Sequence, residues 1–199
     1  MRVISGTARG TRLRTLEVPH LRPMLDRVRQ ALFNIIRSEV EGAVALDLFS
    51  GCGALGIEAL SRGAASCTFV ERDSRLASLL RENIEKCGLS ARAHILRADV
   101  LALPGRRLPD GTCAADLVFV DPPYVMVDDP NQRADLFRIL QDLMDSWIAR
   151  GALLVLHHGP LPYALWPTRR MRCFDRRLYG NSQISLFKVG EEGSDGSAQ

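Results

Sequence analysis

VALDLFSGCGALGIEAL, residues 44–60, is the stretch from which the rest of the chain is best read. It begins with an apolar run, Val44 to Phe49, broken only by Asp47. Ser50, Gly51, Cys52 and Gly53 follow as a turn, and residues 54–60 are mostly good helix formers. The pattern predicts strand, glycine loop, helix. Glycines at such a junction admit positive φ and allow the backbone to approach a ligand. The helix start behind them presents free N–H groups at the positive end of its dipole. At the carboxyl edge of a strand, this is a nucleotide-shaped site.

Working outward, the same order repeats. The sequence predicts a strand over 67–70 ending at Glu71, a helix over 74–86 stopped by Gly88, and a strand over 93–96 leading to Asp99. Residues 104–112 form a loop. Leu117-Val118-Phe119-Val120 is fully apolar, as in a buried central strand, and delivers Asp121-Pro122-Pro123-Tyr124. A helix over 132–147, a strand over 152–157 and a final strand or pair over 178–189 complete the pattern. The expected fold is α/β: a Rossmann-like, mostly parallel, doubly wound sheet with helices on both faces. Residues 1–40 read as an N-terminal extension, a small hairpin (1–5 and 11–16) that stands as an arm and then a helix over 24–40. Residues 41–189 form the main domain, and 190–199 a polar, glycine-rich disordered tail.

The chain has 199 residues, 46% hydrophobic and 25% charged, which suits one globular domain. No apolar run is long enough for a membrane helix, and the opening residues lack the apolar core of a signal peptide. The five cysteines contain no C-x-x-C pair, so reduced thiols, no metal site and a cytoplasmic protein are expected. Cys52 is read as a small turn residue, not as a nucleophile. Charge is uneven: residues 1–40 carry eight arginines against three acids, and a second arginine cluster spans 169–177. Clustered arginine suits phosphate. Arg9, Arg12, Arg22 and Arg27 are the candidate nucleic-acid contacts.

Which nucleotide does the glycine loop hold? Gly51, Gly53 and Gly56 match G-x-G-x-x-G, which alone is a weak dinucleotide signal. Asp47 argues against a pyrophosphate and for a cationic ligand, such as the methionine amine of S-adenosylmethionine. Four acids, Asp47, Glu71, Asp99 and Asp121, fall at consecutive strand ends, spaced 24, 28 and 22 residues apart, about one βα unit each. Such ends line one crevice. Glu71 is placed to accept from ribose hydroxyls and Asp99 from an adenine amine; for Asp99, as for Asp73, a helix N-cap is the competing reading. Ser50, Arg72 and Val100 flank these positions and complete the candidate cofactor residues.

The tetrad Asp121-Pro122-Pro123-Tyr124 carries the chemistry. A nucleobase amine is a poor nucleophile because its lone pair is delocalised, and it must pyramidalise to be methylated. A carboxylate and a backbone carbonyl, here Asp121 and Pro122, that accept its two N–H bonds favour that geometry. Two prolines stiffen the loop, and Tyr124 beside Pro123 offers a stacking face for a flipped base.

These residues carry a resemblance. Asp47-Leu48-Phe49-Ser50-Gly51-Cys52-Gly53, Val70-Glu71 and Asp121-Pro122-Pro123-Tyr124 are similar to the motifs of class I S-adenosylmethionine-dependent N-methyltransferases. More narrowly, Arg2-Val3-Ile4-Ser5-Gly6, Arg22-Pro23, Asp26-Arg27-Val28-Arg29, Leu32-Phe33-Asn34, the run 53–63, Tyr179-Gly180 and Leu186-Phe187 resemble the RsmD family. Those bacterial enzymes methylate the N2 amine of one guanine in 16S ribosomal RNA. The resemblance spans residues 1–189. It implies S-adenosylmethionine as cofactor, Glu71 and Asp99 at its ribose and adenine, and Asp121, Pro122 and Tyr124 at the guanine. It also implies an RNA grip in the N-terminal arm and an assembling small subunit as partner; a monomer is expected. The chain departs from the family at Cys52, where serine is usual, at Met24-Leu25, where Thr-Thr or Thr-Ser is common, and at Tyr124, where phenylalanine also occurs. The readings weighed against it are a DNA adenine-N6 methyltransferase, for which 199 residues leave little room for a recognition region, and a protein glutamine methyltransferase, which more often has Asn at position 121. From other classes come an NAD-dependent oxidoreductase and a non-catalytic RNA-binding assembly factor.

Overall fold

The computed structural model describes residues 1–16, 24–109, 112–161 and 170–190. Seven strands form one sheet: β1 (Val44–Leu48), β2 (Ser66–Val70), β3 (Ala93–Leu96), β4 (Ala115–Val120), β5 (Ile148–His158), β6 (Met171–Tyr179) and β7 (Ser182–Val189). Their order is β3-β2-β1-β4-β5-β7-β6. The first five run parallel, and β7 pairs antiparallel with both β5 and β6. From β1 the chain winds outward through β2 and β3. It then returns to β4 on the other side of β1, so β1 and β4 flank the point where the winding reverses. In such sheets the ligand crevice lies there, at the carboxyl ends of the strands.

Alternation within the strands separates two apolar layers. Ala45, Phe69, Leu117, Phe119, Leu153, Val155, Ile184 and Leu186 face one core. Leu46, Leu48, Val70, Val118, Val120, Leu154, Leu156 and Phe187 face the other. Helices α1 (Asp26–Ile35), α2 (Ala54–Ser61) and α3 (Ser74–Lys86) cover the first layer with Leu32, Phe33, Ile57, Leu60, Leu80 and Ile84. The short α4 (Tyr124–Asp128) and α5 (Pro130–Leu143) cover the second with Val127, Leu136, Phe137 and Leu140. The doubly wound α/β arrangement is as expected. Local limits shift. The helix expected over 132–147 starts at Pro130, capped by Asp129, and ends at Leu143. Trp147 turns away to donate from Nε1 to the Arg106 carbonyl at 2.9 Å, and β5 begins next to it. The helix expected over 24–40 stops at Ile35 and continues as a 3₁₀ turn, Arg37–Glu39.

The N-terminal segment differs most from its expectation. Its two halves pair antiparallel as a small hairpin, with a bridge from Arg2 to Arg12 and backbone hydrogen bonds from Val3 N–H to the Thr11 carbonyl (3.0 Å) and from Leu13 N–H to the Met1 carbonyl (3.2 Å), but it is not a free arm. Nor does it stand outside the core, because Val3, Ala8 and Leu13 are buried in the same layer as α1 and α2. Buried polar side chains hold it. Glu58 on α2 accepts from the backbone of Ile4 (2.7 Å) and Ser5 (3.0 Å). Ser61 accepts from Ala8 N–H at 3.0 Å and donates to the Ser5 carbonyl at 2.6 Å. Asn83 on α3 clasps the Arg14 backbone in both directions and also donates to the Cys52 carbonyl, each at 2.8 to 3.0 Å. A Cβ at Gly6 would lie 1.7 Å from the Ser61 carbonyl oxygen, and φ there is +84°, so that close approach needs glycine. The tail expected over 190–199 lies outside the described residues from 191 onward.

Candidate active site

Two adjoining clefts open at the carboxyl ends of β1, β2 and β4. They share Phe49, Gly51, Leu76, Asp121 and Pro123. The larger, about 390 Å³, is lined further by Glu71, Arg72, Asp99, Val100 and Leu101. The smaller is lined by Ser50, Cys52, Pro122 and Tyr124, and by Met1, Thr15, Leu16 and Met24 from the N-terminal segment. The chain start thus walls the cleft that holds the tetrad.

The larger cleft suits an adenosine. Glu71 is buried, and its carboxylate is fixed by two backbone donors, Gly51 N–H at 2.8 Å and Asp73 N–H at 2.9 Å. One acid therefore ties the glycine loop to the start of α3, and its remaining lone pairs suit hydroxyl donors. Above Gly51 a Cβ would meet nothing within 4 Å, so this backbone is open to a ligand. Gly53 and Gly56 serve packing instead. A Cβ at Gly53 would press on Leu80 at 2.3 Å, and one at Gly56 on Phe69 at 2.3 Å. Asp99 is an N-cap, accepting from Leu101 N–H at 3.0 Å, and it also lines the cleft, with Arg72 Nη1 at 3.2 Å from its other oxygen. Asp73 is the N-cap of α3.

Asp47 is different. It lines neither cleft, is 1% exposed, and accepts from Gly56 N–H at 2.9 Å beneath the loop. Burial, reinforced by the charges of Asp121 and Glu71 and opposed by that hydrogen bond, pushes its carboxyl up to about 8. The hydrogen bond to Gly56 gives Asp47 a part in shaping the loop, beside the part expected for it at a cofactor's amine. Cys52 also has its thiol pushed up, chiefly by burial, which leaves no thiolate nucleophile.

The tetrad begins one residue beyond β4. Asp121 has a side chain 24% exposed. Its Oδ1 meets His157 Nδ1 at 2.7 Å, and among the described residues its Oδ2 has no hydrogen bond. Tyr124 starts α4, its hydroxyl 2.9 Å from Ser182 Oγ and 3.4 Å from His157 Nε2. Sequence reasoning missed His157 and Phe49. A histidine closing an apolar run on the strand next to β4 was the available signal for the first. Phe49 has φ of +62°, rare for a bulky side chain, immediately before the glycine loop; no pattern in the sequence announces it.

Of the arginines proposed for nucleic acid, Arg9, Arg12 and Arg27 are exposed, and Arg22 lies outside the described residues. Arg29, counted in the same basic cluster, is fully buried and donates to the Arg2 carbonyl and to Asp26. It is part of the clasp on the N-terminal segment.

The family model described as conserved hypothetical protein 95 matches residues 1–188. Ribosomal RNA small subunit methyltransferase D of Escherichia coli strain K12 is 36% identical over 155 residues, 77% of this chain and 72% of its own length. YlbH of Bacillus subtilis strain 168, a candidate rRNA methyltransferase, is 38% identical over 193 residues, 94% of this chain and 98% of its own. Among solved structures, the candidate methyltransferase yhhF from Escherichia coli superposes with a TM-score of 0.78 at 28% identity, covering 95% of this chain and 97% of that one. With the Asp-Pro-Pro-Tyr loop facing the glycine-loop cleft across the switch point of the sheet, the chain belongs to the conserved hypothetical protein 95 family and is an RNA methyltransferase of the RsmD type.

Proposed function

We propose that this enzyme transfers a methyl group from S-adenosylmethionine to the exocyclic N2 amine of a guanine in 16S ribosomal RNA, within an assembling small subunit in the cytoplasm. The observation that carries the reading is the Asp121 carboxylate, open on Oδ2 in the wall shared by both clefts. The small-subunit methyltransferase relative supports the choice of RNA. S-adenosylmethionine, when bound, supplies an electrophilic methyl group on a sulfonium.

The chain's own residues do the rest. Glu71 accepts from the ribose hydroxyls, Asp99 accepts from the adenine amine, and Gly51, with Ser50, Arg72 and Val100, shapes the cradle. Asp121 Oδ2 and the Pro122 carbonyl accept the two N–H bonds of the guanine amine, which directs its lone pair at the methyl group as the nitrogen pyramidalises. Tyr124 stacks on the guanine. Arg9, Arg12, Arg22 and Arg27 hold phosphates and set register without reading bases. The test is transfer of a tritiated methyl group to ribosomal RNA, assembled small subunits and DNA in parallel, followed by nucleoside analysis. N2-methylguanosine in 16S RNA is the expected product; N6-methyladenine in DNA would favour the alternative methyltransferase.

A further inference from the structure

We infer that His157 is a positioning residue for methyl transfer, holding Asp121 so that only Oδ2 is offered to the substrate amine. The inference rests on the assignment of Asp121 as amine acceptor.

His157 is the tenth of the eleven residues of β5. Parallel pairing aligns Val120 with Leu156, so the next pair in register is Asp121 and His157. His157 is 1% exposed, and its Nδ1 lies 2.7 Å from Asp121 Oδ1. An ionised carboxylate only accepts, so Nδ1 carries the hydrogen. The Tyr124 hydroxyl lies on the other side of the ring, 3.4 Å from Nε2. Tyr124 is fixed in turn by Ser182 Oγ at 2.9 Å, from β7. The contacts Ser182–Tyr124, Tyr124–His157 and His157–Asp121 form a continuous chain from the start of β7 to the carboxylate in the cleft wall. It ties the acid and the stacking ring to one imidazole.

Without this link, Asp121 would be a short side chain on a Pro-Pro turn, free to rotate and to offer either oxygen. A misdirected acceptor loses the geometry on which amine activation depends, at a cost on the order of 10²-fold. The adjacent His158 is occupied otherwise: its Nε2 lies 2.9 Å from Ser185 Oγ, away from the tetrad.

Two amide substitutions separate positioning from packing. In His157→Asn, the amide nitrogen replaces Nδ1 and keeps the bond to Asp121. In His157→Gln, it replaces Nε2 and loses that bond, although Gln is closer to His in volume. We expect the Asn variant to stay within a few-fold of wild-type kcat. The Gln variant should lose about 10²-fold in kcat, with KM for RNA and S-adenosylmethionine affinity unchanged. Placed on Asp121→Asn, His157→Gln should cost nothing further, because the carboxylate it positions is already gone. Calorimetry with S-adenosylmethionine verifies the fold of each variant. Equal losses in the two amide variants, a better Gln than Asn variant, or full additivity with Asp121→Asn would overturn the positioning role. Wild-type turnover by Asp121→Asn itself would instead overturn the amine-acceptor assignment, so the two failures are distinct.

Discussion

Asp47 and Asp121 stand near the carboxyl ends of adjacent parallel strands of one sheet, yet they live in opposite environments. Asp47 pairs in register with Phe119, so it sits two steps short of Asp121 along the strand direction. Those two steps place Asp47 inside the sheet, covered by the glycine loop and neutral up to about pH 8. They place Asp121 past the edge, a quarter exposed in the cleft wall and tethered by His157. The difference shows that a strand-end acid becomes chemical or architectural according to whether it stands above or below the rim where backbone pairing stops. Glu71, one residue after Val70, is level with Phe49 and Asp121, and it too lines a cleft.

The contrast can be broken at several points. The largest effect is expected at Asp47, on stability. Its folded-state pKa is raised to about 8 from an ordinary 3.8. The unfolded chain therefore loses this proton from about pH 4 upward, while the folded chain keeps it until about pH 8. Stability falls across that window as pH rises. Asp47→Asn, which keeps an acceptor for Gly56 N–H, should flatten the dependence and stabilise the protein by on the order of 5 kcal/mol at pH 8. Urea unfolding at pH 5 and pH 8 checks this; an unchanged difference between the two would place a charge on Asp47 after all.

Asp121→Ala should show the converse. Cofactor binding and unfolding stay near wild type, while kcat falls about 10²-fold, about 2.7 kcal/mol of transition-state stabilisation. Single-turnover kinetics measures it, and a loss of stability comparable to that of turnover would erase the distinction between the two acids. Glu71→Ala should act on the cofactor. Removing a charge-assisted acceptor weakens S-adenosylmethionine by about 2 kcal/mol in calorimetry; the same affinity in the variant would exclude Glu71 as the ribose acceptor.

The smallest effect belongs far from both acids. Arg9→Ala with Arg12→Ala should raise KM for RNA by about fivefold, about 1 kcal/mol, and reduce the slope of log affinity against log salt by roughly 1 to 2. Removal of the whole N-terminal segment is not an equivalent test, because Val3, Ala8 and Leu13 are core residues and Met1 and Thr15 line the smaller cleft. An unmoved salt slope would shift attention to the arginines of β6.

Much of the site was legible because it is local in sequence. The glycine loop, Glu71, the cap at Asp73 and the Asp-Pro-Pro-Tyr tetrad each follow a strand whose apolar run announces its end. What escaped was non-local. His157 lies 36 residues from Asp121 and meets it only through strand pairing. Arg29 reads as one more surface arginine until Glu58, Asp26 and the N-terminal backbone close around it. The N-terminal segment looked detachable because alternation over so few residues does not reveal the buried carboxylate, hydroxyl and amide of α2 and α3 that accept its backbone.

By itself, the sequence determined the class of fold, the switch-point crevice, the family and the acids that could face a nucleotide, since these follow from apolar period, turn chemistry and the spacing of βα units. The tertiary structure alone decided which of those acids is buried and which lines a cleft, which glycine is open and which two serve packing, and which imidazole meets Asp121. Those outcomes depend on register and burial, where a displacement of two residues along a parallel strand moves a carboxylate from solvent into the protein interior and changes its protonation.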